Sequence, residues 1–233
     1  MNPCLDPNDS AYKCDGAGSE VQLIACGLVN GDAPALGACF DAVGRSSITL
    51  VGLDDNYFTT LPEDIFEGMP ALVALSLFDN EFTTLPEGIF KGLTSLGQLF
   101  LDQNRITSLP EGLFQGLSFL QMIYLADNLL TTLPSGIFQG LPSLIWLFLQ
   151  NNRLTTLPEG VFKGLDIQEL GLRVNRHGVT IDNDGLQCVP ANSAPYVLDT
   201  GVPDGPCGCE PVEDITCDEG LTCHPGMDGY TCG

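Results

Sequence analysis

Positive charge is scarce in this chain: 8 Lys and Arg stand against 30 Asp and Glu in 233 residues, a formal charge of −22. Such an excess of acid repels nucleic acid phosphates and anionic membranes, so neither is an expected partner. Long apolar runs are missing as well. The longest, around Leu144–Leu149, falls far short of the roughly 20 residues that a membrane-spanning helix needs. Histidine is nearly absent, with only His177 and His224. No G-x-S-x-G, H-E-x-x-H, P-loop or G-x-G-x-x-G pattern occurs, so the reading is non-enzymatic, with no cofactor. Cysteine is missing from the whole middle of the chain. Cys4, Cys14, Cys26 and Cys39 lie at one end, and Cys188, Cys207, Cys209, Cys217, Cys223 and Cys232 at the other.

What is present reads as a folded protein. Hydrophobic residues make up 44% and charged residues 16%, enough apolar material to bury a core despite the acidity. Two even-numbered cysteine clusters without Cys-x-x-Cys pairs read as disulfide sets of an oxidising compartment, their connectivity open. A zinc site at Cys223-His224 with Cys209 and Cys217 matches no common module spacing. Met1-Asn2-Pro3-Cys4 carries no basic or apolar leader, so an extracellular location implies a secretory signal removed from this chain. Asn8-Asp9-Ser10 makes Asn8 a candidate glycosylation acceptor.

Self-similarity organises the rest. Asn56, Asn80, Asn104, Asn128 and Asn152 recur every 24 residues, and Asn175 follows after 23. Leu61-Pro62 to Leu157-Pro158 and Phe66 to Phe162 keep the same step. A fixed period of this size predicts a solenoid, and its decay near Asn175 predicts a cap. In each L-x-L the two leucines point one way and the middle residue the other, so every unit contributes a short parallel strand. The ladder Asn is expected to bond backbone groups that a turn leaves unpaired, and the Phe ladder to be core.

The unit L-x-x-L-x-L-x-x-N-x-[LIF]-T-x-L-P-x-x-x-F-x-G-[LM], as in Leu96-Gly97-Gln98-Leu99-Phe100-Leu101-Asp102-Gln103-Asn104, resembles the leucine-rich repeat family of the typical extracellular class. Its L-P-E-G-[ILV]-F-x-G-L wording is similar to variable lymphocyte receptors and to secreted algal and oomycete repeat proteins. That resemblance implies an α/β-type solenoid. The expected shape is a curved right-handed coil with a concave parallel β-sheet and disulfide-bonded N- and C-terminal caps. The expected organisation is a cysteine-rich cap over 1–45, about six repeats over 46–180, and a C-terminal cap with a small disulfide-rich knot over 181–233.

Stacking the units turns each outward strand position into a column. The middle column runs Gly52, Ser76, Phe100, Tyr124, Phe148, Gly171; the one before it runs Leu50, Ala74, Gln98, Met122, Trp146, Glu169; the one after it runs Asp54, Phe78, Asp102, Ala126, Gln150, Arg173. Phe78, Phe100, Met122, Tyr124, Trp146 and Phe148 are expected to form a contiguous apolar patch of roughly 500–600 Å², a size that points to a partner. Arg105, Arg153 and Arg173 lie toward the C-terminal side and Asp54, Asp55, Asp79 and Glu81 toward the N-terminal side, a gradient that would orient that partner. The Thr59-Thr60 to Thr155-Thr156 ladder resembles an ice-binding face, but the Pro turn that follows explains it. Asp182-Asn183-Asp184-Gly185 lacks the first and last ligands of a calcium loop, so no metal is expected.

The reading is an extracellular, secreted or cell-surface protein that binds a protein partner, or a glycan, through the concave face, for recognition or adhesion. The alternative is a structural component of a matrix, cell wall or filament assembling through its acidic surface and C-terminal knot.

Overall fold

The computed structural model describes residues 18–154, 157–158, 160–165, 167, 169–171, 197–198, 223–226 and 229–232. Eight short strands among them form one parallel sheet in chain order: β1 (Glu20–Gln22), β2 (Leu50–Gly52), β3 (Ala74–Ser76), β4 (Gln98–Phe100), β5 (Met122–Tyr124), β6 (Trp146–Phe148), β7 (Glu169–Gly171) and β8 (Val197–Leu198). Successive strands pair without slip, Leu75 opposite Leu99 and Leu99 opposite Ile123. The central residue of each of the triplets β2–β6 is buried. The architecture is therefore a parallel-strand β-solenoid.

Return segments are turns, not helices, which corrects the expected α/β-type solenoid. From Pro62 to Gly68 and from Pro110 to Gly116 the backbone bonds join residues three apart, such as Ile65 N–H to Pro62 O at 3.2 Å and Leu113 N–H to Pro110 O at 3.2 Å. Gly116 then closes its turn at φ 85°, a conformation open to glycine and strained for other residues.

The one α-helix among the described residues, α1 (Ala33–Val43), precedes the repeats, with Pro at its first turn where a missing N–H costs nothing. Arg45 fastens it to the first repeat: its guanidinium meets Asp41 at 2.6 Å, donates to Ile65 O at 2.7 Å, and lies 5.7 Å from the Phe40 ring centroid. Together with β1, this gives the N-terminal end of the sheet a strand and a helix that the cysteine spacing alone did not reveal.

Between sheet and turns runs a single apolar core. The phenylalanines stack as a column inside it: Phe90 to Phe114 at 6.5 Å, Phe114 to Phe138 at 6.2 Å, Phe138 to Phe162 at 6.0 Å. Each such ring contributes roughly 2–3 kcal/mol by burial. The ladder asparagines behave as their spacing predicts. Asn104 Nδ2 donates to Leu77 O at 2.9 Å and to Leu101 O and Asp102 O at 3.2 Å, while its Oδ1 accepts from Phe82 N–H at 3.0 Å. Asn175 lies outside the described residues.

Just ahead of each ladder Asn the chain enters left-handed backbone, at Asp55 (φ 55°), Asp79 (φ 47°), Gln103 (φ 52°), Asp127 (φ 54°) and Asn151 (φ 56°). Asp and Asn tolerate this region better than other non-glycine residues. The kink keeps the sheet ladder going, with Gln103 N–H bonded to Ala126 O and Asp127 N–H to Gln150 O, both at 3.0 Å. A row of short polar side chains thus borders the strand face.

Candidate functional site

On the outward face the three columns expected from the spacing are in register. Phe100 is opposite Tyr124 and Tyr124 opposite Phe148, flanked along the sheet by Ser76 and Gly171. The three rings form one stack: Phe100 to Tyr124 at 4.9 Å with planes 20° apart, Tyr124 to Phe148 at 4.6 Å with planes 24° apart. Those spacings match the separation of neighbouring strands, so the backbone itself sets the stack. Met122 is opposite Trp146 on one side of it, and Phe78 belongs to the column on the other.

All six residues of the expected patch are half-buried rather than open, so it is smaller than its side-chain areas alone imply. For Phe100, Tyr124 and Phe148 the physical reason is the stack, in which neighbouring rings cover each other's faces. The most exposed large apolar residues, Phe119 at 63% and Tyr57 at 59%, lie outside the strand triplets.

Arg105 and Arg153 are exposed but sit beyond the ladder Asn, in a column separate from the rings, and Arg105 is paired with Glu81 at 3.0 Å. Arg173 lies outside the described residues, as do Asn8, Cys4, Cys14, Cys188, Cys207, Cys209 and Cys217. Cys26 and Cys39 are disulfide-bonded. In the separate antiparallel pair β9 (Cys223–Gly226) and β10 (Gly229–Cys232), Cys223 and Cys232 are register partners.

Acidic groups extend further along the face than the sequence reading placed them. Asp54 Oδ1 accepts from the Ser76 hydroxyl and, at 3.2 Å, from Phe78 N–H. Burial raises its pKa, those two donors oppose the rise and Asp55 adds to it. Asp79 is also raised, by burial and then by its contact with Asp55. Two repeats on from Asp54, Asp102 has Tyr124 where Asp54 has Ser76. Tyr124 is taken into the stack, and Asp102 Oδ1 is buried with no hydrogen-bond partner among the described residues. Burial pushes the Asp102 carboxyl up to about 6; its own backbone N–H opposes the rise, while Asp127 and Asp54 reinforce it. Gln150 Oε1, in the same column, is likewise buried and unpartnered among the described residues.

Asp102 and Gln150, which the sequence reading placed in an outward column without a role, and Asp127 are therefore candidate site residues. The available signal was positional, since all three occupy the two places after L-x-L that Asp54 and Asp55 occupy in the first repeat. Among the described residues, no three His, Cys, Asp or Glu side chains converge as a metal site would require. No described helix is long and apolar enough to cross a membrane.

The arrangement offers a surface for contact, an apolar ridge bordered by carboxylates. Comparison with known proteins agrees with the architecture. In the Drosophila Toll–Spätzle complex, a chain is similar with a TM-score of 0.52 and 26% identity over 56% of this chain and 19% of that one. In the TLR13–ssRNA13 complex the similarity has a TM-score of 0.55 and 25% identity, over 63% of this chain and 23% of that one. The chain thus spans about a fifth of the length of either neighbour. One of them is an RNA complex, so these likenesses lend no support to excluding nucleic acid. No curated protein matches the chain. Leucine rich repeat matches run over residues 46–106, 75–129, 98–154 and 120–176, together more than half of the 233 residues. With those matches lying on the strand, ladder and turn positions described above, the chain belongs to the leucine rich repeat family.

Proposed function

We propose that this chain is a non-enzymatic, extracellular recognition or adhesion protein that binds a protein partner through the outward face of its sheet. The observation that carries the reading is the Phe100–Tyr124–Phe148 stack. The fold does not require rings there, because Gly52, Ser76 and Gly171 fill the same column in other repeats. Large aromatic side chains grouped on an otherwise polar face are the usual anchors of protein interfaces. Phe78, Met122 and Trp146 widen the ridge, and Arg105 and Arg153 stand beyond it as basic residues past the ladder Asn.

Other features support the same reading. The bonded Cys26 and Cys39 suit an oxidising compartment and disulfide-bonded caps at both ends. The Toll neighbour is in complex with Spätzle, a protein partner. The TLR13 neighbour holds RNA, but the −22 charge of this chain opposes a phosphate backbone. The likeness to lymphocyte receptors and algal repeat proteins rests on the wording of the repeat.

Affinity capture from the native source tests the reading, using the oxidised wild type beside a Phe100→Ser/Tyr124→Ser/Phe148→Ser variant of unchanged circular dichroism. A protein retained by the wild type and lost by the variant is the expected result. Equal retention by both would overturn the assignment of this face.

A further inference from the structure

We propose that the segment this face receives is cationic: an extended stretch of a partner protein bearing arginine or lysine. It would lie across β4–β6 with its charges against Asp102 and Asp127 and its aliphatic stems over the Phe100–Tyr124–Phe148 ridge. This inference rests on the sheet face being the binding face and adds the chemistry of the partner.

Two orphan acceptors carry it first. Asp102 Oδ1 and Gln150 Oε1 are buried without hydrogen-bond partners among the described residues, and they stand in one column on either side of Ala126. Buried acceptors left unpaired are costly, and native structures rarely keep them so. Both oxygens are closed to solvent as they stand, so a partner's N–H donors remove the cost once the Asp102 and Gln150 side chains turn outward to meet them. An anionic ligand would bring acceptors to a place already holding too many.

Charge carries it second. The strand triplets of β2–β6 and the three positions after each contain no Lys or Arg, whereas Asp54, Asp55, Asp79, Asp102 and Asp127 all belong to them. The nearest bases in sequence, Arg105 and Arg153, lie past the ladder Asn, and Arg105 is already held by Glu81. Complementarity therefore demands a positive partner at the centre of the face.

Shape carries it third. The stacked rings turn their faces to one another, so their C–H edges form the ridge, a surface suited to the methylene stems of long basic side chains whose charged ends reach past it. Arginine adds a planar fork that a carboxylate accepts in two bonds.

The test uses the full oxidised chain and a fluorescent peptide of about 15 residues alternating Arg and Leu, beside the same peptide with citrulline for arginine. Citrulline keeps the shape and the donors and removes the charge. Anisotropy at neutral pH should show the arginine peptide bound about tenfold or more tightly than the citrulline one, with the advantage shrinking as salt rises from about 50 to 300 mM. Asp102→Asn/Asp127→Asn should lose about fivefold or more, while Asp64→Asn/Glu67→Gln, in the turn between Pro62 and Gly68, should lose less than about twofold. Equal binding of the two peptides, no binding of either, or equal loss from both pairs of variants would overturn the proposal. So would a single-stranded RNA probe bound by the wild type and lost by the triple serine variant. If the captured native partner is lost by the triple serine variant but kept by Asp102→Asn/Asp127→Asn, the cationic inference fails and the face assignment stands. If the triple serine variant keeps it, the face assignment itself fails.

Discussion

The rings of Tyr124 and Phe148 lie 4.6 Å apart, centroid to centroid, with their planes inclined by 24°. Tyr124 has a second stacked neighbour in Phe100 at 4.9 Å, so it is the keystone of the ridge. Replacing Tyr124 by Ser should cost about 1 kcal/mol, the scale of a cross-strand aromatic contact on a half-buried surface. Partner affinity should fall about tenfold or more. Urea denaturation beside a binding isotherm separates the two; a large stability loss with unchanged affinity would make the ring structural.

Phe114 offers the contrast inside the core, where it is buried between Phe90 and Phe138. Phe114→Ala leaves a cavity between two repeats and should cost about 3–5 kcal/mol. The check is the urea midpoint together with its slope, which should fall if the halves of the solenoid uncouple.

Asn128 holds four backbone groups: Nδ2 donates to Leu101 O at 2.9 Å and to Leu125 O and Ala126 O at 3.2 Å, and Oδ1 accepts from Ile106 N–H at 3.0 Å. Asn128→Ala strands these groups in a dry turn, with an expected loss of about 3 kcal/mol. Hydrogen exchange should quicken first at Ile106 and its neighbours. Unchanged protection there would show that the bonds matter little.

Asp102 makes stability depend on pH in an unusual direction. Its carboxyl is raised from 3.8 to about 6 in the fold, so the native state binds this proton more tightly than the unfolded chain does. Above pH 6 the charged form carries its full burial penalty, which fades as the pH falls through 6 and is gone below 3.8. Solvent screening at this partly exposed site holds the penalty to about 1 kcal/mol. Asp102→Asn should therefore be the more stable protein at pH 7.5 by about that much, and the two melting temperatures should converge near pH 4. A constant difference across that range would refute the assignment.

The repeats were legible because identical positions meet identical surroundings. Once Asn56 to Asn152 and Phe66 to Phe162 share a period, strand, register and core face follow together. The N-terminal end was not legible in that way. β1 and α1 occur once, so no second copy reveals which residues face inward, and cysteine spacing says nothing of a helix. The α/β-type label was too rich in helix, because helix and turn share the same Leu and Phe positions; the Pro62 and Gly68 punctuation is what marks a turn. On the face, the aromatic column was readable from residue types, whereas the condition of Asp102 was not. It differs from Asp54 in what the next repeat supplies, Tyr124 in place of the Ser76 hydroxyl that Asp54 bonds, which no single position announces.

Every described ladder asparagine reaches backward along the chain. Asn56 bonds Leu23 O and Leu28 N–H, Asn80 bonds Leu53 O and Phe58 N–H, and Asn152 bonds Leu125 O and Leu130 N–H. A unit leaving the ribosome therefore finds the backbone groups its asparagine needs already made, in the unit before it and just ahead of the asparagine in its own. Assembly can proceed in the order of synthesis, each turn landing on the one already made and completing the bonds that one left open.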